Sequence, residues 1–136
     1  AMLAAAAAAG APLGHDFCAI NLSDNLKPWS LIEKRLRLAI EADFAIALYN
    51  PRSKARPAGF EKALAVLASL CEAERQIIFA RAVSTPDQSI HVVALSEARP
   101  EMADMRTVVI VGSSRTRSIS REGNAPWVYT PRSAPA

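Results

Sequence analysis

The sequence predicts an α/β fold: a mixed, mostly parallel sheet of about five strands flanked by helices. Three observations carry that expectation. Residues 44–49 and 107–111 are short, continuously apolar runs, as strands buried on both faces should be. Residues 28–42 and 57–71 place apolar side chains at helical spacing between strand candidates. The order is β-α-β-α-β, then β, a short helix and β, which makes a parallel arrangement with an antiparallel component.

Residues 1–9, mostly alanine, read as the later part of a helix, alanine being the best helix former. Gly10 is a fitting stop and Pro12 enforces it. No capping residue precedes Ala1, so the chain is expected to begin inside an element. Residues 17–22 form the first strand, ended by Ser23-Asp24-Asn25. Pro28-Trp29-Ser30 opens a helix to about Ala42 with Leu31, Ile32, Leu36, Leu38, Ala39 and Ile40 as its apolar positions. Glu33 and Arg37 stand four apart in the favourable order.

The second strand, 44–49, stops abruptly at Asn50-Pro51. A basic loop follows with Arg52, Lys54 and Arg56, and then a helix whose inner stripe is Phe60, Leu64, Leu67 and Ala68. The third strand is 76–81. Residues 83–88 are rich in turn formers and too few for a crossover helix, so strand 89–95 is expected to run antiparallel to its predecessor. Residues 96–104 form a short helix or loop. The strongly β-branched strand 107–111 ends at Gly112. From Ser113 onward the chain is polar, and Trp127-Val128-Tyr129 adds a short edge strand.

With 136 residues, 51% apolar and 21% charged, the chain is one ordinary globular domain able to bury a core. Aromatics are 6%, so that core is built mainly of aliphatic side chains. The net charge of +3 is dispersed rather than gathered on one face, which does not mark a dedicated nucleic-acid binder. No apolar run approaches the ~20 residues of a membrane span. Cys18 and Cys71 make no metal pattern and read as buried free thiols of a reducing, cytoplasmic compartment. No nucleotide-binding glycine motif, zinc motif or nucleophile elbow is present. His15 and His91 are isolated and read as surface or structural residues. Nothing in the spacing of His15, Ser23 and Asp24 supports a catalytic triad.

The informative stretch is Ala45-Ile46-Ala47-Leu48-Tyr49-Asn50-Pro51 with its basic loop. In open α/β sheets, ligands bind just beyond the carboxyl ends of strands. An Asn-Pro turn also ends strands without any ligand, and three cations alternating with small residues also suit a solvated loop. Residue chemistry alone leaves these alternatives open.

Longer motifs carry a resemblance. Residues 10–17 (Gly-Ala-Pro-Leu-Gly-His-Asp-Phe), 22–29 (Leu-Ser-Asp-Asn-Leu-Lys-Pro-Trp) and 47–57 (Ala-Leu-Tyr-Asn-Pro-Arg-Ser-Lys-Ala-Arg-Pro) resemble the precorrin-3B C17-methyltransferases of cobalamin biosynthesis, within the tetrapyrrole methylase superfamily. So do Val111-Gly112-Ser113-Ser114 and Tyr129-Thr130-Pro131-Arg132.

The resemblance implies the second of two α/β domains, with S-adenosylmethionine bound in the cleft between them. Residues 1–12 would then be the end of the inter-domain helix and its linker, and residues 13–136 the C-terminal domain. The N-terminal domain is not matched, so the chain alone is expected to bind cofactor weakly and not to turn over. By resemblance, Tyr49 and Asn50 meet the cofactor, as do Ala82, Val83 and Ser84 after the third strand. Gly112 is a weaker match near the adenine, and Ala1 and Met2 correspond to the helix start that completes the pocket. Relatives commonly carry a smaller residue at the Val83 position.

Lys27, Arg52, Lys54 and Arg56 are sensible partners for the carboxylates of a tetrapyrrole substrate. No catalytic residue is assignable, which suits a chemistry in which the methyl arrives already activated on a sulfonium. No metal is expected, and the superfamily implies a homodimer. Two other readings stand beside this one: a non-catalytic domain that binds a partner or an anionic ligand, and an RNA-directed methylase relative, which binding to RNA at moderate salt would favour.

Overall fold

The computed structural model describes residues 1–51 and 58–133. A central sheet has the strand order β2 (Phe17–Asn21), β3 (Ala45–Tyr49), β6 (Thr107–Val111), β4 (Gln76–Arg81) and β5 (Ser89–Ala94). The mixed α/β class and the five strands agree with the sequence expectation, and β5 does run antiparallel to β4. The pairing differs from a mostly parallel sheet. β2, β3 and β4 share a direction, but β6 inserts between β3 and β4, so only β2–β3 is a parallel pair and the other three are antiparallel. The physical reason is the reversal between β4 and β5, where the link 82–88 is too short for a crossover helix. The link 95–106, with two 3-10 turns at Leu95–Glu97 and Pro100–Met102, then carries the chain past β4, so β6 keeps the direction of β5 and runs against both neighbours.

One face is covered by α2 (Trp29–Glu41) and α3 (Gly59–Leu70). Ile32, Leu36 and Ile40 of α2 pack there with Phe60, Val66 and Leu67 of α3, over Ile46, Leu48, Ile77, Phe79, Val109 and Val111 of the sheet. Phe60 and Phe79 meet edge-to-face at 5.8 Å. The inner stripe of α3 is therefore Phe60, Ala63, Val66 and Leu67; Ala68 is exposed and Leu64 half-buried. Leu38 of α2 also points to solvent, 54% exposed. In both helices the contiguous apolar run is wider than the stripe a helix can bury. The pair Glu33–Arg37 forms at 3.0 Å.

The other face is covered by α1 (Met2–Ala9) and a second sheet. Ala5, Ala6 and Ala9 pack on Ile78, Ala80 and Ile110, and their small size lets the helix lie close. Gly10 ends α1 with φ 129°, and a Cβ there would lie 2.5 Å from the Val128 carbonyl oxygen. Only glycine allows this approach. The segment expected as inter-domain helix and linker is thus packed on the sheet, and β1 (Gly10–Ala11) pairs in parallel with β8 (Asn124–Tyr129).

The expected edge strand 127–129 is in fact part of β8, the central strand of this second sheet, between β1 and β7 (Arg117–Arg121). Arg121 stacks 3.7 Å from the Trp127 ring centroid. Cys18 and Cys71 are free and half-buried rather than buried; burial pushes both thiols up. Among the described residues no helix is long and apolar enough to cross a membrane.

Candidate functional site

The carboxyl ends of β2, β3 and β4 lie at one end of the central sheet. Asn21 pairs with Tyr49, and Arg81 pairs with Thr107 at the start of β6. Three non-glycine residues just beyond strands there have left-handed backbone: Asn50 (φ 51°), Ala82 (φ 51°) and Ser84 (φ 67°). Outside glycine such conformations cost about 1–2 kcal/mol per residue and cluster at functional sites.

Local hydrogen bonds hold the turn after β4 in this shape. Ala82 N donates to Arg106 O at 3.0 Å, Thr85 Oγ1 donates to Ala82 O at 2.6 Å, and Ser84 N donates to Gln88 Oε1 at 2.8 Å. Val83 N–H and the Ser84 hydroxyl keep no partner among the described residues. Beside this turn is a cavity of about 390 Å³, lined by Ala1, by Ala4 of α1, by Ala80, Ala82, Val83, Ser84 and Thr85, and by Arg106 and Val108. Its size is in the range of small-molecule sites, and its walls are small apolar groups with a few convergent polar ones.

The structure therefore brings together four of the residues singled out from sequence: Ala1, Ala82, Val83 and Ser84. Tyr49 lies at the same end and on the α1 face, since Ala47, two residues before it, pairs with Ile110 of the α1-side core. Asn50 is at the same end, but its side chain donates to Asn21 Oδ1 at 3.0 Å, toward β2 and away from β6 and β4. Met2 is half-buried on α1 and does not line the cavity. Lys27 is half-buried in the segment after β2, at the same end of the sheet. Arg52, Lys54 and Arg56 fall outside the described residues.

Gly112 is not brought to this site. β6 runs against β3 and β4, so its carboxyl end reaches the opposite end of the sheet, where Gly112 N donates to Gln76 O at 2.8 Å. The start of β6, Arg106 to Val108, lines the cavity instead. Sequence reasoning missed Arg106, Thr85 and α1's Ala4. The signal that could have found Arg106 is strand direction: an antiparallel β6 presents its first residues, not its last, to the ends of β3 and β4.

His15 is a structural residue, its Nδ1 lying 2.9 Å from Pro131 O, and His91 is exposed on β5. Among the described residues no group of three or more His, Cys, Asp or Glu could hold a metal ion. A second cavity of about 310 Å³ lies on the opposite face, between Phe79, Arg81, Ser89, His91, Val93 and Met102. Arg81 there is already paired with Asp104 at 2.6 Å.

Comparisons with known proteins agree with this fold. The family model of tetrapyrrole (corrin/porphyrin) methylases matches residues 1–99. The chain is 58% identical over 132 residues to the precorrin-3B C(17)-methyltransferase of Sinorhizobium sp, a match covering 97% of this chain and 52% of that protein. It is 41% identical over 116 residues to a probable cobalt-factor III C(17)-methyltransferase of Salmonella typhimurium, covering 85% of this chain and 48% of that one. Among solved structures, the crystal structure of the methyltransferase CobJ superposes with a TM-score of 0.90 at 66% identity, over 96% of this chain and 53% of that chain. The chain thus spans about half the length of the curated relatives it matches. Fold and family match converge: this chain belongs to the tetrapyrrole methylase family.

Proposed function

We propose that this chain forms one wall of an S-adenosylmethionine-dependent methyltransferase that methylates C17 of precorrin-3B, with ring contraction to precorrin-4, in cobalamin biosynthesis. The observation that carries the reading is the convergence of Ala1, Ala82, Val83 and Ser84 on one strand-end cavity, with left-handed backbone at Ala82 and Ser84. The residues fit the cofactor. Small side chains at Ala80 and Ala82 leave room for a flat ring, while Val83 N–H and the Ser84 hydroxyl offer donors. Tyr49, Asn50 and Met2 are proposed to border the same molecule.

Bound S-adenosylmethionine supplies a methyl group activated by its sulfonium. That methyl would pass to an electron-rich ring carbon of the macrocycle. This chain's part is to align the donor and to exclude water at the strand ends. Lys27 and the loop cations Arg52, Lys54 and Arg56 are proposed to meet the carboxylates of the macrocycle. The same reading places residues 1–12 at the inter-domain helix and residues 13–136 in the C-terminal domain. It also implies a cytoplasmic homodimer.

Precorrin-3B is preferred to its cobalt-containing counterpart because the relative so named is 58% identical, against 41% for the cobalt-factor III relative. The test joins this chain to the half of the Sinorhizobium relative that it does not match. S-adenosylhomocysteine binding is measured by calorimetry, and labelled methyl transfer to precorrin-3B is followed. Micromolar binding with transfer is expected; a folded chimera that binds no S-adenosylhomocysteine would sink the reading.

A further inference from the structure

Among the described residues lining the strand-end cavity, Arg106 carries the one ionisable side chain; the rest are alanine, valine, serine and threonine. Both polar atoms of its backbone are pinned. Arg106 N donates to Asp104 Oδ1 at 2.8 Å, and Arg106 O accepts from Ala82 N at 3.0 Å. Asp104 is itself held, accepting from Arg81 Nε at 2.6 Å and from Thr107 Oγ1 at 2.9 Å. The Arg106 guanidinium has no acceptor among the described residues, whereas those of Arg75, Arg81, Arg99 and Arg121 donate to the protein. Those of Arg35, Arg115 and Arg132 have no acceptor there either, but they do not line this cavity. A fixed Cα at the lip of a cavity with an uncommitted cationic fork is the arrangement of a recognition residue rather than of a structural one.

We propose that Arg106 is the anion-recognition residue of this cavity and pairs with a carboxylate of the bound molecule. The inference rests on the reading above, that S-adenosylmethionine and a tetrapyrrole meet here. Both carry the required group, the first on its amino-acid end and the second on its acetate and propionate side chains. A guanidinium–carboxylate pair in a partly desolvated cavity contributes about tenfold or more in affinity.

The test uses an enzyme of the relatives' full length carrying this chain, with Arg106→Gln and Arg106→Lys, both exposed-site changes. Calorimetry compares S-adenosylhomocysteine with 5′-methylthioadenosine, which keeps the adenosine and the sulfur but lacks the amino-acid carboxylate. If the cofactor carboxylate is the partner, Arg106→Gln weakens S-adenosylhomocysteine about tenfold and leaves methylthioadenosine unchanged. If a macrocycle carboxylate is the partner, S-adenosylhomocysteine is unaffected and KM for the tetrapyrrole rises about tenfold at retained kcat. Arg106→Lys recovers part of either loss.

Equal weakening of both adenosine ligands, or no change in any arm, overturns the proposal. Wild-type enzyme that binds neither adenosine ligand overturns the cofactor reading itself, and direct titration of the tetrapyrrole into wild type and Arg106→Gln then decides Arg106 alone.

Discussion

The two ends of the central sheet use the same backbone device to opposite effect. At the β4 end, Ala82 and Ser84 adopt left-handed conformations around a cavity, and the neighbouring cation Arg106 has no side-chain acceptor among the described residues. At the other end, Asp43 is also left-handed (φ 61°), but its carboxylate accepts from Ser114 N at 2.7 Å and from the Ser114 hydroxyl. Beside it Arg75, 7% exposed, holds Glu72 through Nε at 2.7 Å and Nη2 at 3.0 Å and donates to Gly112 O at 3.2 Å. One acceptor at that end, Gln76 Oε1, is buried without a partner among the described residues.

The contrast teaches how to read strain. Asp43 offsets its backbone cost with bonds made by its own side chain, so its conformation is explained by structure. Ala82 has no side chain with which to do so, and its conformation shapes a cavity wall, where strain points to function.

The comparison can be broken in several ways. The largest expected effect is at the closed end. Arg75→Met strands the Gly112 carbonyl and should lower the unfolding free energy by about 2–4 kcal/mol. Urea unfolding measures it, and S-adenosylhomocysteine affinity should not move; an unchanged unfolding curve would mean that this end is not clamped.

Gly112→Ala comes next. Its Cβ would meet Thr116 side-chain atoms at 2.8 Å, and overpacking of this kind costs about 1–3 kcal/mol. Stability should fall while ligand affinity holds. A selective loss of ligand binding would instead return Gly112 to the cofactor site.

At the open end, Ala82→Gly should gain about 0.5–1 kcal/mol, since glycine adopts φ 51° without the steric cost. A loss of stability would show that the Ala82 backbone is unstrained.

The smallest effect is acid sensitivity at Asp104. Partial burial pushes its carboxyl up, but hydrogen bonds from Arg81, the Arg106 backbone and Thr107 outweigh this and leave it below the usual carboxylate range. The unfolded chain therefore takes up the proton first, near pH 4. The stabilisation is complete above that and is lost as pH falls through the depressed folded value. Asp104→Asn should flatten the acid limb of the stability profile slightly, because the group is 47% exposed and screened by solvent. An acid limb identical to wild type would mean that the Asp104 carboxylate contributes no net stability.

Much of this was legible before any coordinates. Gly10 as a helix stop, Glu33–Arg37 as a pair, and β3 and β4 as buried strands follow from local pattern and backbone chemistry. The hairpin of β7 and β8 was missed. Its signal is Glu122-Gly123, with Gly123 at φ 72°, between Arg117-Ser118-Ile119-Ser120-Arg121 and Trp127-Val128-Tyr129. That signal is weak because every residue of β7 is at least partly exposed and Ile119 is its one apolar residue, so no alternation of apolar with polar marks it. Ala82, Val83 and Ser84, singled out from the sequence, do share one cavity, whereas Gly112 lies at the other end of the sheet, because a strand's residues do not declare which end of a sheet they will reach.

By itself the amino-acid sequence determined most of the elements and the family: apolar period, glycine and proline punctuation, and motifs too long to recur by chance are properties of the chain as written. Only the tertiary structure decided strand order and direction, and with them which residues share a cavity. β6 lies between β3 and β4 because both of its hydrogen-bonding edges are filled there and both of its faces are covered. That choice depends on contacts between residues far apart in the chain. It carries Arg106 to the cavity and Gly112 to the clamp at the other end of the sheet.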